Sequence, residues 1–134
     1  METVRTTYVS NLRTEATHVQ SGNSIITDAP VDNQGKGEYF SPTDMVAAAL
    51  ASCAMTIMGI AARDNGFSID GAKASTTKIM ASDPRRISEI QIEYNFEGID
   101  LNPDQRKIME DVSKTCPVCL SLHPDLKRTI KFCY

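Results

Sequence analysis

Ser41 to Gly66 reads SPTDMVAAALASCAMTIMGIAARDNG, and this stretch decides the fold. Both of its ends carry helix signals. Ser41 suits an N-cap, Pro42 suits the first helical position, and Asp44 completes the S-x-x-D form of a capping box. Asn65-Gly66 supplies residues that tolerate a left-handed stop. Between the marks the residues are apolar or small nearly all the way round, which predicts a buried helix rather than a surface one. A membrane span is the competing reading of Met45 to Ala62. That run is 18 residues long, the bare minimum, and it contains Ser52, Thr56 and Gly59. It is flanked by Asp44 and Arg63-Asp64 with no aromatic belt, so a core helix is the better reading. One thiol, Cys53, sits in its middle.

Upstream, Thr3 to Gln20 has rough alternation of β-type residues, with Asn11 as a turn between two short strands. Ser21-Gly22-Asn23 is a second turn, and Ser24 to Asp28 is a third strand, so a small antiparallel meander is expected. Ala29 to Phe40 has no periodicity and holds Pro30, Gly35 and Gly37. It predicts a long loop, and long loops in compact domains are often functional.

Downstream, Ser68 to Ala81 predicts a strand and Asp83-Pro84 a turn. Ile87 to Glu97 is the clearest strand: Ile90, Ile92, Tyr94 and Phe96 fall on one face, Glu89, Gln91, Glu93, Asn95 and Glu97 on the other. Asn102 and Pro103 open a second helix that ends near Thr115. Cys116-Pro117 opens a short helix through Leu122, and Leu126 to Tyr134 is a last strand. The order β-β-β-α-β-β-α-(α)-β predicts an α+β fold, antiparallel strands around a long buried central helix, in one domain spanning residues 1–134.

Composition narrows the function. A net charge of -3 and the lack of basic patches interleaved with aromatics give no reason to expect nucleic acid or an anionic membrane as partner. METVRTTYVS has no apolar h-region, so no secretory signal is expected. The four cysteines, Cys53, Cys116, Cys119 and Cys133, then read as thiols of a reducing, cytoplasmic compartment rather than as a disulfide framework.

Local residues alone favour packing for Cys53, because free cysteine is among the most buried residue types. Cys116 carries more signal: a thiol at a helix start lies where N–H groups and the dipole favour a thiolate. Cys116-Pro117-Val118-Cys119 is a C-x-x-C that follows a helix, not the strand of a thioredoxin-type motif. Cys116, Cys119 and His123 share helical spacing and, with Cys133 or His18, could form a sulfur-rich zinc set. Only one pair of the usual two is present, however. There is no G-x-G-x-x-G, P-loop or G-x-S-x-G, and the lone histidines His18 and His123 read as structural or exposed.

Two motifs together carry a resemblance. SPTDMVAAALASCAMTIMGIAA resembles the central-helix signature of the OsmC/Ohr family of osmotically inducible and organic-hydroperoxide-resistance proteins, in its OsmC-like branch. KTCPVCLSL resembles that family's second signature, a Cys-Pro-Val after a helix, and the remaining elements follow the family's order. The resemblance implies an intertwined homodimer and a thiol-dependent peroxidase that needs no cofactor and no metal. Cys53 would attack the O–O bond of an organic hydroperoxide and become a sulfenic acid, and Cys116 would condense with it to a disulfide. An external dithiol, such as that of a lipoylated protein, would reduce the product. The family activates its cysteine with an Arg from the loop and a Glu after the helix-opening Pro. Here the matching places hold Lys36, Thr43 and Asp44, and Cys119 is a further supporting candidate. The alternative functions are a non-catalytic binding protein for a small molecule or lipid, and a protein with structural zinc at Cys116, Cys119 and His123.

Overall fold

The computed structural model describes all residues, Met1–Tyr134. Three strands, β1 (Val4–Ser10), β2 (Arg13–His18) and β3 (Ser24–Asp28), pair antiparallel in the order β1-β2-β3. The loop after β3 contains one 3₁₀ turn, Val31–Asn33. Then come α1 (Pro42–Asp64), β4 (Lys73–Ala81), β5 (Arg86–Asn95), α2 (Pro103–Val112), α3 (Pro117–Ser121) and β6 (Lys127–Cys133). β4, β5 and β6 form a second sheet in that order. The result is an α+β architecture of two three-stranded sheets with helices.

The chain divides into two compact units, Met1–Met45 and Val46–Tyr134. In the first, the β1–β2 turn runs through Asn11 and Leu12, both at positive φ. The loop folds back tightly on Ala29: a Cβ built on Gly35 would lie 1.7 Å from the Ala29 carbonyl oxygen, so only glycine fits. The helix opening behaves as its sequence dictates. Ser41 Oγ accepts the Asp44 N–H at 3.0 Å, and the Asp44 carboxylate accepts the Ser41 N–H at 3.0 Å, a reciprocal capping box.

The second unit holds the apolar core. Ala47, Leu50, Ala51, Ala54, Met58 and Ala62 mark one stripe of α1. Ile90, Ile92, Tyr94 and Phe96 are the buried face of β5, as the alternation predicts. Phe132 of β6 stands beside Tyr94, ring centroids 5.4 Å apart, and Tyr134 stacks on Phe96 at 5.6 Å. Met109 of α2 is fully buried against this cluster, and side chains of that size each contribute about 1.5–3 kcal/mol on burial.

Two features depart from the sequence-based expectation. β6 lies parallel to β5, because α2 and α3 form a crossover that returns the chain in the same direction; the other strand pairs are antiparallel. And α1 is buried along one stripe only: Ala48, Ala49, Ser52, Thr56 and Ile60 are exposed. With a mean hydropathy of 2.0, α1 is long and apolar enough by composition to cross a membrane. Its stripe packed into a mixed α/β core is instead the behaviour of a globular protein's central helix.

Candidate functional site

The site grows out of three elements of the second unit. α1 carries Cys53, half-buried on its fourth turn. The end of α2 leads directly to Cys116, which is the N-cap of α3 and is fully buried. β5 contributes Tyr94 from its inner face. Cys53 and Cys119, the latter at the third position of α3, both act electrostatically on Cys116. Thiols far apart in the sequence therefore share one neighbourhood, and all three act on Tyr94 as well.

Electrostatics describe the same cluster. Burial is the main influence raising the Cys116 thiol above its ordinary value of 9.0. The Cys119 N–H, donated to Cys116 Sγ at 3.3 Å, works the other way, while the neighbouring thiols of Cys53 and Cys119 raise it further. The helix-start argument for a Cys116 thiolate is therefore overturned. α3 has only five residues, so its dipole is small, and desolvation wins. Burial favours the protonated form of Cys116. Tyr94 is also raised, first by burial and then by the charges of Cys116, Cys119 and Cys53. Its hydroxyl is buried with no hydrogen-bond partner.

Arg128 of β6 fixes the back of α3. Its guanidinium donates to the carbonyls of Cys119 at 3.0 Å, Leu122 at 3.3 Å and Leu126 at 2.9 Å. Neither Tyr94 nor Arg128 stands out in the sequence as a site residue. The available signal was a polar tip on an inward strand position for Tyr94, and for Arg128 a cation in step with Ile130 and Phe132 along β6.

The other candidates fall elsewhere. Lys36 is exposed in the loop of the first unit. Thr43 Oγ1 pairs with Ser41 Oγ at 3.1 Å, and the Asp44 carboxylate is occupied by the helix cap. The basic residue that organises this unit is Arg13, on β2. It grips Asp28 with two bonds of 2.7 and 2.9 Å, reaches Glu38 at 3.0 Å, and stands 4.8 Å from the centre of the Tyr39 ring. Asp28 is buried and held below the ordinary carboxylate value. Its bonds to Arg13 are the main cause, opposed by burial and helped by the N–H groups of Glu38 and Tyr39.

The zinc set does not assemble. α3 stops at Ser121 and Leu122 turns extended, so His123 leaves the helical face it was expected to share. Its ring is exposed and accepts the Asp125 N–H at 3.0 Å. Cys133 alternates with Phe132 and faces Glu93, Glu97 and Lys131 on the outer side of the sheet. His18 bonds Ser21 at 2.6 Å in the first unit. No group of three or more His, Cys, Asp or Glu residues is disposed to hold a metal.

The family profile of OsmC-like proteins matches residues 35–131. The chain belongs to the OsmC-like family. A candidate osmotic stress induced and detoxification response protein from Psychrobacter arcticus is 52% identical over 98% of this chain and 96% of its own, with a TM-score of 0.94. An organic hydroperoxide resistance protein OsmC from Legionella pneumophila shares the OsmC-like fold at 12% identity. The match covers 100% of this chain and 98% of that one, with a TM-score of 0.77. A candidate organic hydroperoxide resistance protein from Vibrio cholerae, with captopril bound in one of its active sites, matches at 13% identity. It covers 98% and 92% of the two chains with a TM-score of 0.75. No curated protein matches the sequence.

Proposed function

We propose that the protein is a thiol-dependent peroxidase that reduces organic hydroperoxides. The observation that carries this reading is the shared neighbourhood of Cys53, half-buried, and Cys116, fully buried with its thiol pushed up by burial. Membership of the OsmC-like family, and relatives described as organic hydroperoxide resistance proteins, support it. Cys53 takes the distal oxygen of ROOH, giving Cys53–SOH and ROH. Cys116 then attacks the sulfenic sulfur; its proton leaves with the sulfenic hydroxyl as water, and a Cys53–Cys116 disulfide remains. An external dithiol, for which a lipoylated protein is the candidate, restores both thiols in a reducing, cytoplasmic setting. Cys53→Ser is expected to lower the rate of cumene hydroperoxide consumption at least 100-fold, since the attacking sulfur is gone. Parent-like consumption by that variant would end the proposal.

The same reading makes the protein a homodimer. Val4, Tyr8, Val9, Leu12 and Ile25 are exposed in the first unit, and Ala48, Ala49, Ser52, Thr56 and Ile60 line an exposed strip on α1. Such unpartnered apolar surface is what a second copy would cover. Sedimentation equilibrium at micromolar concentration is expected to return twice the mass of the 14.7 kDa chain; a monomer would rule out the homodimer.

A further inference from the structure

We propose that Cys119 takes the disulfide over from Cys53, so that the oxidised resting form carries a Cys116–Cys119 bond and a free Cys53. This rests on the peroxidase reading above and adds a step to it. Cys116 is N-cap and Cys119 is the third residue of α3. Residues three apart in a helical turn have Cα atoms about 5 Å from each other, within the span that a disulfide bridges. The Cys119 N–H already touches Cys116 Sγ at 3.3 Å, so the sulfur to be attacked lies against the residue that would attack it. The charges of all three thiols act on Tyr94, whose buried hydroxyl has no partner.

Position supplies the reason for the transfer. Cys116 is fully buried, so a dithiol from outside meets that sulfur poorly, whereas Cys119 stands beside it on the same short helix. Cys53 and Cys119 are both half-buried. In the exchange the Cys119 sulfur attacks Cys116 Sγ, the Cys53–Cys116 bond breaks, and the Cys116–Cys119 bond forms. Cys53 leaves as the new thiol and takes the proton that Cys119 gives up. No electrons are gained or lost overall, and no further reagent is needed. The external dithiol then meets a bond within α3 through the half-buried Cys119, while Cys53 is ready for another peroxide.

The test treats the reduced full-length protein with cumene hydroperoxide in the absence of reductant, followed by acid quenching, alkylation and peptide mapping by mass spectrometry. One equivalent is expected to yield Cys116–Cys119 linked peptides and alkylated Cys53. A second equivalent is expected to be consumed at Cys53 as sulfenic acid, giving about two equivalents per chain. Cys119→Ser is expected to stop at Cys53–Cys116 and at about one equivalent. Recovery of Cys53–Cys116 alone from the parent protein overturns the transfer and leaves the peroxidase reading standing. A Cys53–Cys119 bond also overturns it, because Cys119 would then act on Cys53 directly. Unspent peroxide with every thiol still reduced overturns the peroxidase reading and the transfer with it.

Discussion

The two units of this chain are held together by opposite means. In Met1–Met45 the buried side chains are Thr27, Asp28 and Ser41, all polar, while Val4, Tyr8, Val9, Leu12 and Ile25 face solvent. In Val46–Tyr134 lie all of the buried apolar residues, from Ala47 to Leu126. The first unit is a meander fixed by a charge network through Arg13, Asp28 and Glu38. The second is a core of aliphatic, aromatic and sulfur side chains. Charges near a surface give direction and register; apolar burial gives most of the free energy. The thiol cluster lies in the second unit. A buried thiol keeps its proton there because water is excluded, and side chains hold their places because the packing is dense.

The contrast can be broken most strongly in the core. Met58→Ala removes a fully buried side chain from the middle of α1 and is expected to cost about 2–5 kcal/mol of unfolding free energy. Denaturant titration followed by circular dichroism measures it. Val9→Ala, on an exposed position of β1, is expected to stay within about 0.5 kcal/mol. Equal costs at the two sites would erase the distinction between the units.

Acid should act on the first unit ahead of the second. Asp28 has a folded pKa below its ordinary value of 3.8, so its pairing contributes stability that is present above that value. The contribution is lost as pH falls through the depressed folded value. Hydrogen exchange of the β1–β3 amides is therefore expected to accelerate in that acid window, while that of β5 changes less. Asp28→Asn should flatten the pH dependence of the β1–β3 amides. An unchanged acid profile in that variant would show that the Arg13 network does not hold the meander.

The smallest expected effect has the opposite sign. Tyr94→Phe removes a buried hydroxyl with no partner and keeps the ring against Phe132. It should stabilise the protein by up to about 1 kcal/mol, read as a higher denaturant midpoint at constant slope. A loss of stability would mean that the hydroxyl finds a partner in solution, such as a bound water, and is satisfied there.

Much of the fold was legible because it depends on short-range chemistry. Ser41 and Asp44 form the expected capping box, and Asn102 and Gln105 form a second at the start of α2. The inward face of β5 follows from alternation at Ile90, Ile92, Tyr94 and Phe96. The metal candidates failed for an equally local reason that spacing could not reveal. One extended residue, Leu122, ends α3 before His123, and one step along β6 sends Cys133 to the face away from Phe132. The two thiol motifs pointed to the OsmC-like family, and the family profile matches residues 35–131.

By itself, the sequence determined the elements, their caps, the inward face of β5, and the family to which the chain belongs. These follow from periodicities and terminal residues that act within a few positions of one another. Only the tertiary structure decided that Cys53, Cys116 and Cys119 share one neighbourhood beside an unpartnered Tyr94 hydroxyl, and that burial pushes the Cys116 thiol up. Those facts depend on which surfaces pack together and how much water they expel. A thiol's reactivity is set by that environment, which linear spacing does not encode.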